Sequence, residues 1–368
     1  MPKIIPWWSP QIAGQEYALI QEVLDSNYLN DGEVTTRFEQ EIARLVGVKY
    51  AVAVTSGTTA IFLALAGIGV GPGDEVIVPD VTFIATANAV TLTGAKPVLV
   101  DIDPLSLNIS PEAVRAAITT NTKAIIPVHV SGRAADMTTI QEIANEYGLA
   151  LVEDTAEAFM SASRGRFLGT FGIAGCLSFS PNKTITTGQG GMILTDDDAL
   201  HIRLRELKDQ GRPVRGTGGD DVHRSVGYNF KYTNLQAAVG LAQLMALDVR
   251  LKRQKQIHCI YAAELSGMTG ISLLPFDIKG GEIPQWTDAI VERRDNLDRY
   301  LLEKDIHCRR FWHPVHTQSP YFEPDDAFPN STRLMTKAIW LPSAFTLSDE
   351  DMHLVCQSIR QFTQDEKN

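Results

Sequence analysis

Residues 176–191 have the sequence CLSFSPNKTITTGQGG, in which a short apolar run leads into a polar turn. The pattern predicts a buried strand over residues 175–180, a turn that presents Lys183, and a second strand over residues 191–194. Hydroxyl and glycine residues surround Lys183, instead of the carboxylates that accompany most surface lysines. A lysine held in such a cleft can act as a nucleophilic amine, and an aldehyde cofactor is its natural partner. An exposed lysine in a hairpin turn is the alternative.

An earlier stretch, residues 51–67, has the sequence AVAVTSGTTAIFLALAG and predicts a strand, a small polar turn and a helix. The turn contains Ser56, Gly57 and Thr58. Backbone amides, hydroxyl groups and the positive end of a helix dipole come together at such a joint, and this combination can bind a phosphate. Simple N-capping of the helix by Ser56 or Thr58 is the alternative.

Strands and helices alternate at short spacing between these two stretches. Apolar runs that are each followed by a helical pattern predict strands at residues 75–78, 96–100, 122–128 and 149–152. Repeated strand–helix units predict an α/β fold, with a largely parallel sheet and helices on both of its faces. Ligands of such sheets bind beyond the carboxyl ends of the strands.

Three residues at those strand ends are candidates for a ligand site. Asp154 follows a buried strand and could pair with a protonated ring nitrogen, or it could cap a helix. Glu157 lies about one helical turn further on and could face the same side. Phe83 lies at another strand-to-helix joint, where its ring could cover a flat ligand or pack in the core.

The pattern changes near residue 250. One long helix is predicted from Leu235 to about Arg250, and short strands and helices follow it. The strands are expected at residues 271–274, 286–291 and 306–311, and the helices at residues 294–304 and 347–362. We therefore expect a large domain over residues 1–250, with an N-terminal arm over residues 1–14, and a smaller α+β domain over residues 251–368.

Composition excludes several classes of protein. The net charge of −11 gives no support for binding to nucleic acid or to an anionic membrane. The four cysteines are far apart, which fits a cytoplasmic protein without disulfides. A signal peptide is not expected, and polar residues interrupt the apolar segment 51–70, so no membrane span is expected either. Pro314 separates His313 from His316, and we expect no metal site.

The ordered set of motifs TSGT at residues 55–58, ED at 153–154, SFSPNK at 178–183 and YN at 228–229 resembles the DegT/StrS-type sugar aminotransferases. These are fold-type I enzymes that depend on pyridoxal 5′-phosphate (PLP). The resemblance covers nearly the whole chain. It implies a large domain with a mostly parallel sheet between helices and a smaller α+β C-terminal domain.

The resemblance also implies roles for individual residues. Lys183 would bind the cofactor covalently and transfer protons, and Asp154 would keep the pyridine nitrogen protonated. Phe83 would stack on the ring, and Glu157 would lie beside the phenolic oxygen, where many relatives carry Gln or His. The phosphate would be held by small residues of two turns, namely Ser56, Gly57, Thr58 and Ser178.

Asn229 would reach the phosphate of a neighbouring subunit's cofactor, which implies a homodimer with active sites at the subunit interface. A carboxylate beside a phenolate is a like-charge pair, so we expect Glu157 to share a proton with it and to raise the pKa of the lysine–cofactor chromophore.

The expected reaction moves an amino group from L-glutamate to a keto-sugar nucleotide, namely a 4-keto-6-deoxyhexose. A 3-keto sugar linked to dTDP or UDP stays open, because segments 130–133 and 284–286 depart from the family pattern. A PLP-binding regulator without turnover is the alternative from another class. A sugar 3-dehydratase is disfavoured because such relatives carry His at the position of Lys183.

Overall fold

The computed structural model describes residues 3–213 and 221–365, and the side chain of Asp365 is not included. Residues 1 and 2 of the predicted arm therefore lie outside the described residues. The helices are α1 (Glu16–Asp25), α2 (Glu33–Val46), α3 (Gly57–Gly67), α4 (Ala85–Leu92), α5 (Pro111–Ala117), α6 (Met137–Tyr147), α7 (Asp198–Lys208), α8 (Asn234–Met245), α9 (Leu247–Glu264), α10 (Arg294–Leu302), α11 (Pro329–Met335) and α12 (Asp349–Asp365). The strands are β1 (Tyr50–Val54), β2 (Glu75–Pro79), β3 (Lys96–Val100), β4 (Thr122–Ile125), β5 (Ala150–Asp154), β6 (Ala162–Ser163), β7 (Arg166–Phe167), β8 (Ala174–Ser178), β9 (Gly191–Thr195), β10 (Ile271–Leu273), β11 (Thr287–Val291), β12 (Arg309–Arg310) and β13 (Ala338–Leu341).

The large sheet has the strand order β1-β9-β8-β5-β4-β2-β3. Its pairs from β8 to β3 are parallel, whereas β9 runs antiparallel to both β1 and β8. The predicted α/β fold with a mostly parallel sheet is confirmed. Because β5 and β8 are parallel neighbours, with Asp154 opposite Cys176, their carboxyl ends bring Asp154 and Ser178 to one edge of the sheet.

Helix α3 lies in the core of this part of the molecule. Residues 60–65 are all buried, and they pack with apolar residues of β1, β2, β5, β8 and β9. A helix that is apolar on every side is stable only when it is enclosed by other elements. Its N-terminus is thereby fixed against the carboxyl edge of the sheet.

A second, antiparallel sheet follows in the chain, with the order β10-β11-β13-β12. Strand β13, which the sequence analysis missed, lies inside this sheet and is buried throughout. The strand predicted over residues 306–311 was wrong in length, since only Arg309 and Arg310 pair with β13.

The single helix predicted from Leu235 to Arg250 was also wrong. Ala246 leaves the helical conformation, with φ −100° and ψ 6°, and separates α8 from α9. Helix α9 runs through residue 250, where the domain boundary was placed, and the division into residues 1–250 and 251–368 stays a prediction. None of the described helices is both long and apolar enough to cross a bilayer.

The N-terminal segment packs against the second sheet and the Lys183 turn. Ile5 pairs with Ile306, and the carbonyl of Trp7 accepts a 2.9 Å hydrogen bond from the amide of Ser343. Trp8 Nε1 donates to the carbonyl of Pro181 at 3.1 Å, two residues before Lys183. The arm therefore connects the second sheet to the turn that carries the lysine.

Candidate active site

The carboxyl edge of the large sheet borders a cavity of about 310 Å³. Most of the predicted site residues line it: Ser56, Gly57, Thr58, Phe83, Asp154, Glu157, Ser178 and Lys183. Asn229 does not line it; this residue is exposed in a segment that pairs with Asp209. The fold thus brings together residues that are up to 127 positions apart, from Ser56 to Lys183 (183 − 56).

One end of the cavity is formed by the first turn of α3. The Ser56 hydroxyl accepts from the amide of Thr59 at 3.2 Å, and Thr59 Oγ1 accepts from the amide of Ser56 at 2.9 Å. This reciprocal cap bears out the N-capping alternative for Ser56, and it leaves Gly57 and Thr58 at the open end of the helix. A Cβ atom on Gly57 would lie 2.9 Å from Cβ of Ser178, so only glycine keeps this space clear.

Hydroxyl groups from the end of β8 face the same space. Ser178 Oγ and Ser180 Oγ lie 3.2 Å apart, and Ser180 Oγ donates to Asn182 Oδ1 at 3.0 Å. Hydroxyl groups next to a helix N-terminus form a cradle suited to a phosphate group. The residues present at this end of the cavity therefore fit the phosphate of PLP.

Asp154, the last residue of β5, also lines the cavity and is buried. Its carboxylate accepts from Thr86 Oγ1 at 2.8 Å and from the amide of Ala156 at 3.1 Å. Burial raises the pKa of Asp154, and the hydrogen bond from Thr86 opposes this shift. A cationic ring N–H is the kind of partner that stabilises a buried carboxylate, and Asp154 therefore fits a pyridine nitrogen.

Glu157 and Lys183 meet in the same cavity. Lys183 Nζ lies 3.3 Å from Glu157 Oε1, and Glu157 Oε2 accepts from the amide of Ser131 at 3.0 Å. Burial raises the pKa of Glu157, and the charge of Lys183 opposes this shift. Ser131 has a positive φ of 55°, a left-handed conformation that costs serine more energy than it costs glycine.

A buried pair that the sequence analysis missed lies behind Asp154. His129 Nε2 lies 3.1 Å from Glu153 Oε2, and both side chains are buried. His129 Nδ1 accepts from the amide of Ala135 at 3.2 Å, so its proton is on Nε2 and is donated to Glu153. Glu153 also accepts from the amide of Gly169 at 2.8 Å. These hydrogen bonds hold the side chain of Glu153, the residue before Asp154, in place.

Comparison with known proteins identifies the family to which this chain belongs. The model of the DegT/DnrJ/EryC1/StrS aminotransferase family matches residues 10–360. The chain belongs to this aminotransferase family. Its enzymes depend on PLP, which fits the phosphate cradle, the buried aspartate and the lysine of the cavity.

Individual relatives agree over nearly the full length of this aminotransferase. It is 38% identical to a GDP-perosamine synthase of Escherichia coli O157:H7, over 99% of this chain and 100% of the relative. A GDP-perosamine synthase of Vibrio cholerae is 36% identical, over 98% of this chain and 99% of the relative. The crystal structure of DesV from S. venezuelae matches with a TM-score of 0.93 and 32% identity, and covers 99% of each chain. The chain is therefore a PLP-dependent aminotransferase, and a regulator without turnover is not favoured.

The second sheet supplies cavity residues of the aminotransferase that the sequence analysis did not identify. Trp286, Arg309 and Trp312 line the cavity, and Lys183 Nζ lies 5.0 Å from the ring centroid of Trp286. The departure at residues 284–286 was the only sequence signal for Trp286. The sequence did not indicate that Arg309 would face the site, because Arg309 and Arg310 both lay within a predicted strand that had no other distinguishing feature.

Proposed function

We propose that this aminotransferase transfers the amino group of L-glutamate to C4 of a GDP-linked 4-keto-6-deoxy sugar. The observation that carries the proposal is a single one: Lys183 Nζ lies 3.3 Å from Glu157 in the cavity that Asp154 and the first turn of α3 also line. The choice of GDP as the nucleotide and of C4 as the reacting carbon rests on three relatives named GDP-perosamine synthase, which are 36–39% identical to this chain.

Lys183 is proposed to bind the cofactor aldehyde and then to take up and return the proton at its Nζ. PLP supplies an electron-accepting ring when it is bound. Asp154 holds a proton on the ring nitrogen, and Thr86 orients the carboxylate of Asp154 through its 2.8 Å hydrogen bond. Because both half-reactions would share one bound cofactor, the two substrates would react in turn at one site.

The remaining cavity residues are proposed to bind and orient. Gly57, Thr58 and Ser178 hold the phosphate, with Ser56 fixing the helix end that presents its amides. Phe83, whose side chain is 54% exposed at the start of α4, covers one face of the ring.

We place the anionic part of the sugar nucleotide near Arg309. The guanidinium of Arg309 lies over the rings of Trp7 and Trp340, at 4.8 and 5.6 Å from their centroids. No described carboxylate forms an ion pair with it, so it is available for an anionic ligand. Its neighbour in the cavity wall, Trp312, offers a ring face to the same ligand.

The proposed active unit is a homodimer. The exposed position of Asn229 fits the implied contact with a second subunit's cofactor. A cytoplasmic location is proposed as well, since the four cysteines are free in the described residues.

Two experiments test the proposal. Purified enzyme is loaded with PLP, treated with borohydride and mapped by peptide mass spectrometry; a pyridoxyl group on Lys183 is expected, and a group elsewhere would overturn the assignment. The loaded enzyme is then given L-glutamate and GDP-, dTDP- or UDP-linked 4-keto or 3-keto sugars. Amination at C4 of the GDP-linked 4-keto-6-deoxy sugar, faster than on the others, supports the proposal; preference for a 3-keto sugar would refute its substrate.

A further inference from the structure

The turn that carries Lys183 is held by a side chain from the second sheet. Gln285 is buried just before β11, and its Nε2 donates to the carbonyl of Asn182 at 3.0 Å. Its Oε1 accepts from Thr184 Oγ1 at 2.8 Å. One carboxamide therefore bonds the residue before Lys183 and the residue after it, and it uses a donor on one side and an acceptor on the other.

Helix α9 holds the same turn from a second direction. Gln254 Nε2 donates to Thr184 Oγ1 at 3.1 Å, and Arg250 Nη1 donates to the carbonyl of Thr184 at 3.1 Å. Among the described residues, those that line the cavity include neither Gln285 nor Gln254 nor Arg250. These side chains therefore affect the site through Asn182 and Thr184, the two neighbours of Lys183.

Trp286, the next residue after Gln285, places its ring beside the amine. The ring is buried between Trp7 and Trp340, at centroid distances of 5.2 and 4.9 Å, so neighbouring rings fix its position. Lys183 Nζ lies 5.0 Å from the centroid of this ring and 3.3 Å from Glu157 Oε1. A ring face and a carboxylate both attract an ammonium group, and together they confine its position.

We propose that Gln285 and Trp286 are positioning residues that set the place of the Lys183 amine, Gln285 by bonding the Asn182 carbonyl and the Thr184 hydroxyl on either side of it and Trp286 by presenting a ring face. This inference rests on the proposed role of Lys183. It assigns a task to segment 284–286, which departs from the family pattern.

The first test replaces Gln285 with alanine and compares it with Gln141→Ala. Gln141 also donates through its amide to a carbonyl, that of Phe171, at 2.8 Å, and it does not line the cavity. For Gln285→Ala we expect kcat to fall about tenfold, because two hydrogen bonds that hold the turn are lost. KM for both substrates should stay within about twofold, since Gln285 contacts neither. The pH titration of the visible absorbance of bound PLP should shift, whereas Gln141→Ala should titrate as the wild type does.

A second set of variants keeps the inference testable if Gln285→Ala does not fold. Gln285→Glu retains the acceptor for Thr184 and loses the donor to Asn182, and it should show an intermediate fall in kcat. Trp286→Phe keeps a ring face and should retain most of the activity, whereas Trp286→Leu should lose about tenfold in kcat with a shifted absorbance titration. The inference would be overturned if Trp286→Phe and Trp286→Leu had the same kcat and absorbance titration. It would also be overturned if Gln285→Ala kept both the kcat and the titration of the wild type.

The borohydride map of the wild type separates this inference from the proposed function. If the wild type carries the pyridoxyl group on Lys183 and the Gln285 and Trp286 variants behave as wild type, only the positioning inference fails. If the wild type carries no group on Lys183, the proposed function fails and the inference falls with it.

Discussion

At the scale of single residues, the site depends on two buried carboxylates that lie three positions apart. Burial raises the pKa of both Asp154 and Glu157, but their neighbours differ. Asp154 accepts from a hydroxyl and an amide, whereas Glu157 accepts from an amide and faces the amine of Lys183. The two carboxylates therefore suit different partners: Asp154 suits a ring N–H, and Glu157 suits the amine of Lys183.

The Glu157→Gln variant should shift the pKa of the lysine–cofactor chromophore to a lower value. A carboxylate within hydrogen-bond distance of Lys183 favours the protonated chromophore, and a neutral amide removes that contribution. Spectral pH titration of the loaded enzyme measures the shift directly. An unchanged midpoint, or one that moves upward, would contradict this expectation.

Asp154→Asn should stabilise the enzyme without its cofactor while it abolishes transamination. A carboxyl group whose pKa is raised on folding binds its proton more tightly in the folded state, so stability falls as pH rises from about 3.9 through the raised value. The amide does not ionise and avoids this loss at neutral pH. We expect the melting temperature of the cofactor-free variant to rise by about 1–3 °C at pH 7. An equal melting temperature at pH 7 would argue against burial as the cause.

At the scale of secondary-structure elements, the cap of α3 serves both folding and binding. Ser56→Ala removes the hydroxyl that accepts from the amide of Thr59, and loss of such a cap costs about 1 kcal/mol of stability. PLP should also bind about tenfold more weakly, since the helix end that faces the phosphate loses its anchor. Ser110 also caps a helix through its hydroxyl, accepting from the amide of Ala113 at the start of α5 at 3.2 Å, and it does not line the cavity.

The Ser110→Ala variant is therefore the matched control for Ser56→Ala. Thermal unfolding should show a similar loss of stability in the two variants. Titration with PLP should show weakened binding only in Ser56→Ala. Equal PLP affinity in both variants would mean that the cap of α3 contributes to folding alone.

The elements differ in how well the sequence predicts them. The strand–turn–helix joint at residues 51–67 was predicted correctly because its apolar run, hydroxyl cap and helical pattern are all local. The break at Ala246 was missed because no glycine or proline marks it within residues 241–250. Strand β13 was missed because a strand buried on both faces shows no alternation of polar and apolar residues.

The same reasoning explains the candidate site. Lys183, Asp154 and the turn at residues 55–58 lie next to strand ends, where position along the sheet predicts a role. Trp286 and Arg309 reach the cavity from the second sheet, and their place depends on how two distant parts of the chain pack together. No local pattern encodes such packing.

At the scale of the whole molecule, a buried ion pair links the two sheets. Arg133, in the loop after β4, donates to Asp288 of β11 at 2.8 Å and to the carbonyls of Pro275 and Ser106. Both charged side chains are buried. Arg133→Leu should cost about 3–5 kcal/mol, because the carboxylate of Asp288 is left without its partner. Unfolding in urea measures this loss.

The double variant Arg133→Leu with Asp288→Asn provides the control for that prediction. It removes both charges, so it should recover part of the stability that Arg133→Leu loses. A double variant that is less stable than the single one would mean that packing, not the unpaired charge, sets the cost.

The docking of the N-terminal arm has a consequence for synthesis on the ribosome. Chains emerge from the N-terminus, and early segments generally fold first. The arm, however, pairs at Ile5 with Ile306 and at Trp7 with Ser343, residues that are translated more than 300 positions later. The arm therefore cannot dock fully until residue 343 has left the ribosome, and the surroundings of Lys183, to which Trp8 of the arm contributes through Pro181, are completed only after that.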